Sequence, residues 1–342
     1  MFGKNLKYYR LKKNMTKKEL AEACDITPMS ITHYESGSRR PSMEVIEKLA
    51  EALDVNISDF IASRNETLIF SHDNFRKTSA LSKGKQEYIK EAVEEYFNRL
   101  FDAADCVGGN PLPERPDISK NKPSGDYEAD ANFMRKSLQL PEGGPIPNLI
   151  AALEARGYLV VEVDFDESSF SGRTGSVNGY PYIAINKNVN TDRKRSTIAH
   201  ELEHIFFEEL SEENEQYATA VGGAFLIPKE DLYKKLGLKR KKVTGDFLLI
   251  CKEYGISTQL LVKRASQAGI ISTSVERDFF FRLSRDGWRK KEPEHSIYPE
   301  ESIQLRQLVL RAINEGNITI QKGAELLHTS YNDVAKGCSE VV

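Results

Sequence analysis

Residues 200–204 read His-Glu-Leu-Glu-His, and this pentapeptide constrains the chain more than any other stretch. Histidines four apart lie one turn apart on a helix, so both imidazoles reach a common point only if the segment is helical. Ile198, Ala199, Leu202, Ile205 and Phe206 supply the apolar surface of a buried helix around them. Unligated histidines facing one another in such a setting are costly. The spacing suits a zinc ion held by His200 and His204, with Glu201 able to reach a water on that ion.

A zinc site of this kind takes a third protein ligand and leaves one position open. No histidine follows His204 until His295, and position 210, where an extended three-histidine motif would need one, is Leu. An acidic third ligand is therefore expected. Glu215 opens Glu215-Gln-Tyr-Ala218 on the next helix, whose small residues Ala218, Ala220, Gly222 and Gly223 allow close packing on the zinc helix. Glu208 is the alternative, and Glu212 and Glu213 read as solvated carboxylates at a helix start. Residues 201–215 carry seven glutamates and no Lys or Arg, and Glu203 and Glu208 should form a flank that disfavours acidic peptides. Strand Pro181–Asn186, just upstream, is either a core strand or an edge on which an extended peptide adds. Tyr180, Tyr182 and Tyr217 are the nearby candidates for an oxyanion donor.

The first sixty residues read as four or five short helices. Thr16-Lys17-Lys18-Glu19 has the form of a capping box, Thr27 with Pro28 starts a second helix, Gly37 stops it, and Pro41-Ser42 opens another. Two capped helices across a three- or four-residue turn are helix-turn-helix geometry. Residues 1–18 carry seven basic side chains and no acidic one, although the whole chain has a net charge of −3. A bare charge run of this kind is usually a solvated face.

The chain has 342 residues, too many for one core, and divides on sequence into 1–61, a connecting strand, helix and loop over 62–125, an α+β domain over 126–275 and a helical C-terminal region over 276–342. Cys24, Cys106, Cys251 and Cys338 are scattered and form no Cys-x-x-Cys pair, and neither a signal peptide nor an apolar run of membrane length is apparent. A cytoplasmic protein with no membrane association is expected. Residues 318–336 faintly repeat the order of the first helix-turn-helix, as a second such motif or as a packing helix pair; packing is favoured.

Residues 2–61 closely resemble the Cro and lambda-repressor type of helix-turn-helix domain, including Glu35-x-Gly37 and Arg40-Pro41-Ser42. That likeness makes Thr27–Tyr34 the recognition helix, with Pro28, Met29, Thr32 and His33 offered to base edges, Ile31 turned to the core, and Lys17, Thr27, Ser38, Arg39 and Arg40 on phosphates. Residues 66–275 resemble the ImmA/IrrE family of zincin-like metallopeptidases. The carrying residues are the Asn186–Thr197 lead-in with Arg193 and Arg195, His200–His204, Glu215-x-x-Ala218, and Phe225-Leu-Ile-Pro228. The resemblance implies that His200, His204 and Glu215 hold zinc and that Glu201 is the general base. Departures are Glu203 where that family usually has Gly, Glu208 where it often has His, and Thr219 where it usually has Asn.

Together these likenesses imply a DNA-binding transcriptional regulator with zinc-dependent endopeptidase activity. Its partners would be double-stranded operator or promoter DNA and a protein substrate such as a transcriptional repressor. One such DNA module contacts one half-site, so a homodimer or a dimeric DNA-bound partner is expected. The alternative is a non-proteolytic DNA-binding or antitoxin-like regulator whose zincin fold senses a metal or ligand, or holds a partner.

Overall fold

The computed structural model describes residues 1–62, 64–65, 67–72, 81–117, 119–166, 169–208, 214–288 and 299–339; Glu212, Glu213 and His295 lie outside them. An N-terminal helical domain, a mixed α/β domain with a small sheet and a helical C-terminal region follow one another. By contacts the chain forms two compact units, residues 1–111 with 304–342, and residues 112–303.

The first unit opens with α1 (Phe2–Lys12), α2 (Lys17–Ala23), α3 (Pro28–Glu35), α4 (Met43–Leu53) and α5 (Ile57–Ile61). The local chemistry explains the boundaries. Thr16 closes a full capping box with Glu19, Thr27 accepts from the Ser30 amide with Pro28 at the first helical position, and Ser42 caps α4. Leu6, Leu20, Ile31, Leu49, Leu53 and Phe60 form the fully buried centre of this bundle. Strand β1 (Phe70–Ser71) and the long helix α6 (Lys83–Val107) follow. Helix α1 packs on α6, where Lys7 pairs with Glu87 and Glu91, and Arg64 bridges Asn5 Oδ1 (2.7 Å) and Glu91 (3.3 Å).

The second unit runs α7 (Tyr127–Ser137), α8 (Leu149–Glu154), β2 (Leu159–Val163), β3 (Gly172–Val177), β4 (Tyr180–Asn186), α9 (Thr191–Phe206), α10 (Asn214–Leu226), α11 (Lys229–Leu236), α12 (Asp246–Tyr254), α13 (Thr258–Gln267) and α14 (Thr273–Arg285). β3 and β4 form an antiparallel hairpin through Asn178-Gly179, both at positive φ. β2 pairs parallel with the other side of β4. The possibility that Pro181–Asn186 is a free edge is therefore corrected: β4 is bonded on both sides and buried along its whole length. Its near-continuous apolar run is the mark of such an interior strand.

Helix α9 lies against this sheet with Ile198, Ala199, Leu202 and Ile205 in the core. Arg195, fully buried on the same helix, donates to the carbonyls of Ile146 (2.9 Å) and Tyr254 (3.3 Å) and pairs with Glu300. Glu300 in turn accepts from the Leu149 amide at the start of α8. One ion pair thus locks α9 to three other segments. The chain then returns to the first unit with α15 (Gln304–Asn314), α16 (Ile320–Leu327) and α17 (Tyr331–Gly337), and α15 packs along α6.

Candidate metal centre and nucleic-acid interface

Helices α9 and α10 cross closely because of one glycine. A Cβ on Gly222 would stand 3.0 Å from the His200 amide nitrogen and 3.1 Å from the Ala199 carbonyl carbon. That approach brings Glu215, at the start of α10, onto the histidines of α9. His200 Nε2 lies 3.1 Å from Glu215 Oε2 and 3.2 Å from His204 Nε2, and His204 Nε2 lies 3.8 Å from Glu215 Oε1. Ligand atoms on a tetrahedral zinc, each about 2.0–2.1 Å from it, stand roughly 3.3 Å apart, so this donor set fits such an ion. Glu208 does not join the group and is exposed.

Both imidazoles turn Nε2 toward Glu215. Thr219 Oγ1 donates its one hydrogen to the Glu215 carbonyl (2.8 Å), so at 3.3 Å it accepts from His200 Nδ1–H. Glu203 Oε2 stands 3.1 Å from His204 Nδ1, an ion-pair contact without the alignment of a hydrogen bond. Burial lowers the His200 pKa, and the neighbouring His204 adds to this. Burial also works to lower that of His204, but the Glu203, Glu201 and Glu215 carboxylates outweigh it and raise it.

Glu203 is fully buried, which corrects the expectation that it flanks the site against acidic peptides. Its carboxylate faces inward to His204 rather than outward to a substrate.

Glu201 is also buried, and that burial lifts its carboxyl to about 7 against the opposing pull of His204 and Arg173. Strand β3 seals it: a Cβ at Gly172 would meet Thr197 Cγ2 at 2.5 Å and Glu201 Cγ at 3.0 Å. Arg173, the next residue, has its own pKa lowered by burial, with the charges of Glu201 and Glu215 opposing. Sequence reasoning missed Arg173, because only the fold of β3 over α9 brings it near. The tyrosines named as oxyanion donors are engaged elsewhere: Tyr180 donates to Pro113 O (3.0 Å), Tyr217 to Asp130 (2.6 Å), and Tyr182 is buried in the core.

In the first unit, α3 presents Thr27, Pro28, Met29 and His33 on its exposed side, with Thr32 half-buried and Ile31 in the core. Ser38, Arg39 and Arg40 are exposed just beyond it, and Ser38 Oγ lies 3.0 Å from His33 Nδ1. Lys17 reaches both Thr32 Oγ1 and Glu35 at 3.4 Å. The basic run of residues 1–18 is not one continuous DNA face. Arg10 is buried on Glu35, Lys7 is paired with α6, and Lys13 and Lys18 reach Asp54 and Glu22.

The helix-turn-helix family model matches residues 6–60, and that of the IrrE N-terminal-like domain matches residues 153–266. Among curated proteins, the chain is 30% identical over 73 residues to the "Uncharacterized HTH-type transcriptional regulator YqaE" of Bacillus subtilis (strain 168), covering 21% of this chain and 63% of that protein. It is 37% identical over 62 residues to the "Control protein C.BamHI" of Bacillus amyloliquefaciens, covering 18% of this chain and 76% of that one. No solved structure matches. The chain belongs to the helix-turn-helix transcriptional regulators and carries an IrrE N-terminal-like domain. Among the described residues, no helix is long and apolar enough to cross a membrane.

Proposed function

We propose that this DNA-binding regulator is also a zinc-dependent endopeptidase that cleaves a regulatory protein such as a transcriptional repressor. The observation that carries the reading is the convergence of His200, His204 and Glu215 next to a buried Glu201 whose carboxyl is lifted to about 7. His200, His204 and Glu215 would hold the ion, which when bound supplies Lewis acidity toward a water and a scissile carbonyl. Glu201, poised near neutrality, takes the water's proton and delivers it to the leaving nitrogen. Arg173 sits as a cation beside both carboxylates, so Glu201 retains access to its ionised form. Glu215 is largely exposed, which leaves the centre open to a protein chain.

Residues 1–61 would bind operator or promoter DNA through α3 and through Lys17, Thr27, Ser38, Arg39 and Arg40. A DNA partner makes the cytoplasm the working compartment, and a homodimer would let two modules read two half-sites. The test is incubation of the zinc-loaded protein with repressors encoded beside it, read by mass spectrometry. A discrete cleavage that Glu201→Gln abolishes supports the reading; intact repressors in every incubation would overturn it.

A second reading has its own observation. Behind the C-terminal end of α9 lies a cavity of about 640 Å³ lined by Arg115, Asn121, Phe133, Arg156, Tyr158 and Phe206, among others. A ligand seated there would press on the helix that carries both histidines, as a sensing zincin fold requires. Ligand-dependent DNA binding with no cleavage would favour this reading.

A further inference from the structure

Helices α16 and α17 repeat α2 and α3 in register. In the first pair the N-caps are Thr16 and Thr27, and in the second Thr319 and Ser330, eleven residues apart in both. Each cap oxygen accepts from the amide three residues on, at 3.1 and 3.2 Å in the first pair and again at 3.1 and 3.2 Å in the second. The turns coincide as well. Asp25 and His328, nine residues after the first cap, take φ of 55° and 50°. Ile26 N donates to Ala21 O (2.9 Å), as Thr329 N does to Ala324 O (3.1 Å). A turn of this type also joins α4 to α5, with Asp54 at φ 56° and Val55 N donating to Ala50 O. The α2–α3 and α16–α17 pairs also share their core positions: Ala21 and Ala324 are buried, and so are Ile31 and Val334.

The preceding helices agree too. α1 ends with Asn14 at positive φ and Met15 N donating to Arg10 O; α15 ends with Gly316 at positive φ and Asn317 N donating to Ala312 O. A tri-helical unit, α15–α16–α17, therefore stands in the same compact unit as α1–α2–α3, with α1 and α15 both packed on α6. Helix α17 packs through one side, at Val334, and leaves its other side to solvent. At the positions of Pro28, Met29 and His33 it carries Tyr331, Asn332 and Lys336, all exposed and without a side-chain hydrogen bond or ion pair among the described residues.

We propose that α16–α17 is a second DNA-reading helix-turn-helix, with α17 offered to the major groove through Tyr331, Asn332 and Lys336. The chemistry of that face favours DNA over a protein partner. It presents an amide, an ammonium, a phenol and one carboxylate, and its exposed side chains include no aliphatic one. An asparagine amide pairs bidentately with adenine N6 and N7, and a lysine reaches guanine or a phosphate. Pro28 and Met29 of the first head have no such donors, so the second head would add base discrimination to that of His33. The one acidic side chain on α17, Asp333, is occupied by the hydroxyls of Ser330 and Thr329. One chain would then read a bipartite site. This rests on the DNA-binding reading of the first head and not on peptidase chemistry.

The test uses the full chain and duplexes selected from a randomised pool, with affinity and hydroxyl-radical footprints compared for wild type, Asn332→Ala/Lys336→Glu, and Arg39→Ala/Arg40→Ala. Two protected segments are expected for wild type. The α17 variant should lose one of them and about ten-fold in affinity, at an unchanged thermal midpoint, and the arginine variant should lose the other. Lys336→Ala, a milder change, should weaken the same segment. A wild-type footprint and affinity in both α17 variants would overturn the proposal, as would crosslinking of α17 to a protein and not to DNA. Failure of the wild-type protein to bind any duplex would instead overturn the DNA reading of residues 1–61, and this proposal with it.

Discussion

Thr219 Oγ1 stands 3.3 Å from His200 Nδ1 while its own hydrogen goes to the Glu215 carbonyl, so a single hydroxyl fixes the tautomer of one candidate ligand and sits on the helix that carries another. Orienting partners of this kind usually alter metal affinity by about 10–100-fold when removed. Thr219→Ala is expected to weaken zinc binding by about ten-fold in a chelator competition, and Thr219→Ser to restore it. An unchanged affinity in the alanine variant would show that the hydroxyl has no orienting role.

Gly172 is where strand β3 meets α9, and a methyl there would collide with Thr197 and Glu201. Gly172→Ala should displace Glu201 and depress peptide hydrolysis strongly while zinc content stays at the wild-type level. Its cost in stability should be about 1–3 kcal/mol, the usual range for overpacking. Full activity in this variant would mean that β3 yields without moving Glu201.

Arg39 and Arg40 are exposed just beyond α3, where they are proposed to meet phosphates. Arg39→Ala or Arg40→Ala should weaken binding to all sequences alike and lower the salt slope by about 1. His33→Ala should relax sequence preference more than it lowers affinity. Binding competitions at several salt concentrations separate the two patterns.

Glu154 is buried at the end of α8 with Ser302 donating to it, and burial lifts its carboxyl to about 7. An unfolded glutamate releases its proton near about 4.3, so between these values the native state binds more protons than the unfolded state. Stability should therefore fall as pH rises through this window and level off above it, by up to about 3 kcal/mol. Denaturation midpoints of wild type and Glu154→Gln from pH 4 to 8 test this. The difference between the two should change across the window, and parallel curves would contradict it.

The local parts of this protein were legible in its sequence. Thr16, Thr27 and Ser42 cap helices because their side chains reach amides within three residues, and the His200–His204 spacing needs only the helical repeat. What failed depended on distant segments. Whether β4 is an edge is decided by β2 and β3, which pair with it from either side. Glu203 reads as a surface charge until the core closes over it, and Arg173 has no motif to mark it. The repeat of α2–α3 in α16–α17 was faint for a different reason: backbone hydrogen bonds and caps recur there, while the side chains that face outward do not.

The zinc content of the purified full chain tests the central claim most directly, measured by elemental analysis after dialysis against metal-free buffer. Wild type and Glu201→Gln should each retain about one zinc, because Glu201 is outside the proposed ligand set and would serve the water rather than the ion. His200→Ala/His204→Ala should retain none. Full zinc in the double alanine variant would contradict the account.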